Sequence, residues 1–284
     1  CGGSAGSEGS SLSAGRSIGF EELSAAADSS AQARSGRFAF DFTISGSGLE
    51  ETIGLSGEGA FDADAERAHV AVDLSAFASL LGGLFAGLAG PQAPDLQDPD
   101  GWRIEAIQDG EATYVRFPAL AELLPDGRSW VLARPGSAGQ GFDFSQLRQF
   151  SGNDPRELLE LLRAASGTIE VVGTESLRGT EVTHYRATVD PERASILPRG
   201  GEPADGALAE QLLAQSGVEA IPVDVWMDGS GLVRKLALTV TGTQPGTAES
   251  GTASMSFELW DYGEDVGIEP PPADEVVVES ALRD

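Results

Sequence analysis

Two stretches of the chain, Gly2 to Gly6 and Gly15 to Gly19, fit the Gly-x-Ser-x-Gly pattern that presents a nucleophilic serine in acyl-transfer enzymes. The pattern works only where the serine stands on a sharp strand-to-helix turn with a histidine in reach of its proton. Both stretches lie in a Gly/Ser/Ala-rich N-terminal segment, and the only histidines, His69 and His184, fall inside predicted strands. Neither histidine has companions at zinc-ligand spacing. Asp62, Asp64 and Glu66, and likewise Asp95, Asp98 and Asp100, could offer oxygens to calcium, but neither run has EF-hand spacing, and solvated turns account for both. No glycine-rich phosphate loop follows a strand, and no carboxylate pair stands out among 45 acidic residues. These residues lead us to expect no catalytic group, no metal and no cofactor.

The chain has 284 residues and a formal net charge of -27, which makes nucleic acid a poor partner because phosphate would be repelled over most of the surface. The sole cysteine is Cys1, so no intrachain disulfide can form. A Cys followed by Gly2, Gly3, Ser4, Ala5, Gly6 and Ser7 resembles the start of a mature bacterial lipoprotein, in which the cysteine carries diacylglycerol. That resemblance implies a removed signal peptide, lipid attachment at Cys1, and a place at the outer face of the cell membrane.

The elements follow from periodicity. Residues 1–19 read as a flexible tether, because Gly, Ser and Ala cannot offset the entropy of ordering. Phe20, Leu23, Ala27 and Ala31 keep helical spacing. Phe38, Phe40, Phe42 and Ile44 then alternate with smaller or polar residues, as do Ala68, Val70, Val72 and Leu74. Period two gives these sets a common face, so Phe38, Phe40, Phe42, Val70 and Val72 should share one side of a single sheet. Asp109-Gly110 reads as a two-residue hairpin turn with both residues at positive φ. A helix is expected over 154–166, capped by Asp154, Pro155 and Glu157 and lined by Leu158, Leu161, Leu162 and Ala165. Another is expected near 207–216, then strands over 221–228, 232–241 and 252–260, and an irregular acidic tail over 270–284. The order predicts one α+β domain over 20–269, a curved antiparallel sheet or half-barrel with helices covering its concave face.

No charge falls between Asp73 and Asp95, and Leu74, Phe77, Leu81, Leu84 and Leu88 keep helical spacing among glycines. As a helix, 74–90 would reach only ~25 Å, short of a ~30 Å hydrocarbon layer. Each interior glycine costs about 1 kcal/mol relative to alanine, so the segment reads either as a plain core helix or as a marginally ordered apolar flap over a cavity, rather than as a membrane span.

Several motifs in the second half resemble the actinobacterial LppX/LprG-type lipoproteins and the half-barrel of the LolA and LolB localisation factors. They are Gly173-Thr174-Glu175 before Arg178-Gly179, Thr183-His184-Tyr185 through Asp190, Ile221 to Trp226 with Asp228-Gly229 and Gly231-Leu232-Val233, and Asp261-Tyr262-Gly263 with Ile268 and Pro270. The first half matches only in its strand-rich pattern. The resemblance implies an apolar cavity for an acyl chain or glycolipid, and a carrier role or, alternatively, a sensor or adaptor that binds a partner protein. Candidate cavity residues are Phe38, Phe40, Phe42, Val70 and Val72 from the first strands, Leu81 and Phe85 from the flap, and Val223 and Val225 from the later ones. The expected function is non-catalytic binding, with possible transfer, of a lipid, glycolipid or lipoprotein acyl moiety.

Overall fold

The computed structural model describes residues 17–18, 20–46, 52–77, 99–118, 121, 124–133, 165–189, 221–243 and 250–278. Strand β1 is Ser17–Ile18, and helix α1 is Phe20–Ala31. The first half then contributes β2 (Ser35–Gly46), β3 (Ile53–Asp62), β4 (Arg67–Asp73), β5 (Arg103–Asp109), β6 (Ala112–Arg116) and β7 (Trp130–Ala133). The second contributes β8 (Ala165–Leu177), β9 (Thr180–Val189), β10 (Ile221–Asp228), β11 (Val233–Thr243), β12 (Ser250–Trp260) and β13 (Val276–Val278).

All belong to one curved, unclosed sheet in the order β1-β8-β9-β10-β11-β12-β2-β3-β4-β5-β6-β7-β13. Every pairing is antiparallel except β13 against β7. The seam between the halves is β12 against β2, paired from Gly251↔Gly46 to Trp260↔Arg37. That seam joins strands more than 200 residues apart, so neither half is a separate sheet.

Register puts the alternating apolar residues on one face. Phe38 stands opposite Gly59 and Leu259, Phe40 opposite Gly57 and Phe257, and Phe42 opposite Leu55 and Met255. Val70 and Val72 pair with Gly59 and Gly57, and Val223 and Val225 pair with Leu238 and Leu236. The main core therefore runs along this face from Ile104, Ala106 and Val115 through Phe38 and Phe257 to Tyr185 and Val171. Phe38, Phe40, Phe42, Val70 and Val72 thus share one face of a single sheet, as their period-two spacing requires.

Helix α1 packs on the same face through Leu23, Ala26 and Ala27. Ser30 fixes it to the sheet: its Oγ donates to Ala26 O at 2.8 Å and accepts from Val233 N at 2.8 Å. It is the one α-helix among the described residues, and a helical cover over the concave face is not seen there. The helix expected near 207–216 lies outside the described residues, as does 154–166 up to residue 164. Ala165 and Ser166 instead begin β8, opposite Val189 and Thr188, because β9 supplies ladder partners there.

Three further expectations change. The hairpin turn after β5 is Gly110-Glu111, with only Gly110 at positive φ (58°), since Asp109 remains in the ladder opposite Ala112. Ser17 and Ile18, read as tether, pair with Glu170 and Ile169. The tail expected to be irregular gains β13, whose three valines pair with Trp130, Val131 and Leu132. Branched side chains suit a pleated ladder, and the prolines at 270–272 constrain only the connection before it. That connection crosses the opposite face, where Val266 and Ile268 cover Ala60, Ile107 and Trp130 in a second small core.

Candidate apolar binding face

The first feature of the apolar face is a set of phenylalanines lying over glycines. A Cβ at Gly59 would fall 2.5 Å from Phe38 Cζ, and one at Gly57 would fall 2.6 Å from Phe40 Cε1 and 2.8 Å from Ala71 O. Phe61 stands over Gly36 in the same way, at 3.2 Å. The bare backbone of β3 lets the rings lie flat, keeping the face shallow along these strands. Sequence reading missed this, although glycines at alternate strand positions opposite phenylalanines carry the signal.

Burial along the face is graded. Phe38 (8% exposed), Val70, Val72, Val223 and Val225 are buried, and Phe38 stacks on Phe257 with centroids 5.5 Å apart. Further along the same strands, Phe40, Phe42, Ile44, Ile53, Leu55, Leu238, Val240, Ala253 and Met255 are only half-buried. Register groups them: Phe42 with Leu55 and Met255, Ile44 with Ile53 and Ala253, and Leu238 with Met255. None carries a charged side chain. The candidates thus divide into a closed part (Phe38, Val70, Val72, Val223, Val225) and a half-covered part (Phe40, Phe42). Leu81, Phe85 and Cys1 lie outside the described residues.

Along β8 to β12, away from the second small core, the opposite face is polar. His184 stacks on Trp226 with centroids 4.3 Å apart, and its Nε2 is 2.7 Å from Asp224 Oδ1, which also accepts from Arg186. Trp226 Nε1 donates to Glu175, and Lys235 lies over the same indole and pairs with Glu258. Arg178, at φ 49° in the β8–β9 turn, pairs with Glu258 and sits 3.7 Å from the Trp260 ring centroid. A cleft of about 130 Å³ beside Arg178 is lined by charges of both signs and is too small for an acyl chain. His184 packs in this ladder, as its strand position suggested.

His69 lies on this face too, opposite Ala60 and Ile107. Burial pushes its pKa below the usual 6.5. Asp62 Oδ1 accepts from the backbone of Asp64 and Ala65, the solvated turn expected. Among the described residues no group of three or more His, Cys, Asp or Glu is placed to hold a metal ion. Asp95 and Asp98 lie outside them.

The motif residues of the second half form a structural knot. Asp228 Oδ1 accepts from Ser230 N, Ser230 Oγ and Leu232 N, while Oδ2 accepts from Arg234 Nε at 2.6 Å. Burial raises the Asp228 pKa, but these donors outweigh it and hold the carboxyl below its ordinary range. Arg234 lies over the Tyr262 ring, and Tyr262 Oη donates to Val233 O at 2.6 Å. Val233 also meets Ser30, so this knot ties α1, the β10–β11 turn and the chain after β12 together.

No protein-family model matches the chain. A Streptomyces griseus protein, described as an uncharacterized 31.2 kDa protein, is 30% identical over 129 residues, 45% of this chain and 40% of that one. The chain thus spans about 40% of the length of this curated relative. Among solved structures it is similar to the lipoprotein LppX of Mycobacterium tuberculosis, with 15% identity over 88% of this chain and 97% of LppX, and a TM-score of 0.46. It is also similar to LprF of Mycobacterium bovis, with 9% identity over 89% of this chain and 97% of LprF, again at a TM-score of 0.46.

Proposed function

We propose that the protein is a lipid-anchored extracytoplasmic protein that binds an acyl chain, from a lipid, glycolipid or lipoprotein, along the half-covered stretch of its apolar face. The observation that carries this reading is the burial gradient. One uncharged face passes from a closed core at Phe38 and Phe257 to half-buried Phe42, Leu55, Leu238 and Met255. Apolar surface left partly in water at about 25 cal/mol per Å² favours an apolar occupant. Cys1, ahead of its Gly/Ser-rich segment, is the proposed attachment point, and the reading is non-catalytic.

A sensor or adaptor would want a contiguous apolar patch elsewhere. The large hydrophobics exposed among the described residues are Val172 and Val278, on β8 and β13 at opposite sides of the sheet order. These two form no such patch with each other, and the half-buried stretch around Phe42 remains the apolar surface that supports lipid binding.

The test is titration of the purified protein with a fluorescent fatty acid. Phe42→Asp and Leu238→Asp should each weaken binding at least about tenfold, because a charge on this stretch must be desolvated against an acyl chain. Their thermal midpoints should move little, since both positions are half-buried. Parent-like binding by both variants would remove the reading.

A further inference from the structure

We propose that Phe40 sets the length of acyl chain the protein accommodates, an inference that rests on the lipid-binding reading above. Phe40 stands where the apolar face changes character. On one side lies the closed stack of Phe38 on Phe257, with Phe38 8% exposed; on the other lie half-buried Phe42, Leu55 and Leu238. Phe40 is itself half-buried and packs against the closed core. A chain lying along the half-covered stretch therefore meets this ring before it meets the core.

The ring is held low by the strand beneath it. Gly57 is its ladder partner, and any side chain there would collide with the ring at 2.6 Å and with Ala71 O at 2.8 Å. Gly57 cannot refill the space if the ring is cut back, because it has no side chain to move. Val72, next in the ladder, is already buried against the core. Truncating Phe40 thus leaves an apolar recess floored by bare backbone and continuous with the half-covered stretch. An acyl chain too long for the parent can extend into it, whereas a shorter chain gains nothing. Each methylene newly taken from water tightens binding about fourfold.

The experiment measures affinities of the full chain for laurate, myristate, palmitate and stearate, in the parent, Phe40→Ala and Phe40→Leu. Parent affinity should rise with length and then level off. Phe40→Ala should move the plateau to longer chains and raise the stearate-to-myristate affinity ratio about tenfold or more, as two or more extra buried methylenes require. Phe40→Leu should shift it less. A plateau unchanged in both variants, or a loss of affinity equal at all four lengths, overturns the proposal while leaving lipid binding intact. If the parent binds none of the four acids, the lipid-binding reading falls and this inference with it. If Phe40→Ala does not fold, Phe40→Leu decides alone, since it keeps an apolar contact opposite Phe257.

Discussion

Asp228 has a 6% exposed side chain and four donors aimed at its two oxygens. Removing them leaves Arg234 without its carboxylate and the β10–β11 turn without its organiser, so Asp228→Ala should cost about 2–4 kcal/mol in denaturant unfolding. Its folded pKa lies below the ordinary 3.8, so this stability is present above that value and is lost as pH falls through the folded one. His69 acts in a higher window. Its pKa is lowered by burial, with Arg103 and Arg37 adding to the shift and Glu105 and Glu58 opposing it. The unfolded chain takes up the proton near pH 6.5, so stability is full above that value and erodes as pH drops below it. His69→Gln should flatten this part of a stability-against-pH curve, and an unchanged slope would contradict the assignment. Strand position in the sequence argued against chemistry at either histidine, and for packing at His184, but it could not show how their settings differ. What separates them is their neighbours, His69 against Ala60 and Ile107, and His184 against Trp226 and Asp224.

At the scale of elements, α1 and the early hairpins were legible because their periods are local: Leu23 and Ala27 for the helix, Phe38 to Ile44 for β2. Their fastening was not. Ser30 looks like an ordinary helical serine, and its partner Val233 is 203 residues away. Ser30→Ala should cost about 1–2 kcal/mol by leaving the Val233 amide buried without an acceptor, read as a lower thermal midpoint. The chain after β12 escaped for the same reason. Its prolines suggested disorder of pattern, yet Arg37 Nη2 donates to Val266 O, Arg67 Nη1 to Ile268 O and Arg128 Nη1 to Val276 O. Three arginines spaced through the first half thus hold a segment of the last twenty residues that are described. Arg67→Ala should speed amide exchange in β13 and in the strap residues Val266 to Ile268, with little effect on β9 and β10.

For the whole molecule, alternating residues announced an antiparallel sheet with one apolar face, while the joining of its two halves at β12 and β2 had no local sign. The face is the sum of patterns in both halves, and only their register shows where it is filled and where it is half-covered. Glycines 57 and 59 illustrate the limit: in sequence they weaken a strand, and in the ladder they make room for rings. The charge of -27 makes a polyanion such as nucleic acid a poor partner. The most direct measurement is native mass spectrometry, without detergent, of the Cys1→Ala protein purified from the cells that make it, since this variant carries no acyl group on residue 1. If the apolar face holds a lipid, the spectrum shows a mass above the polypeptide that collisional activation strips off as a free lipid or acylated molecule, and this added mass is lost in the Cys1→Ala, Phe42→Asp double variant. A bare polypeptide mass for Cys1→Ala, or an adduct retained equally by the double variant, would contradict lipid binding at this face.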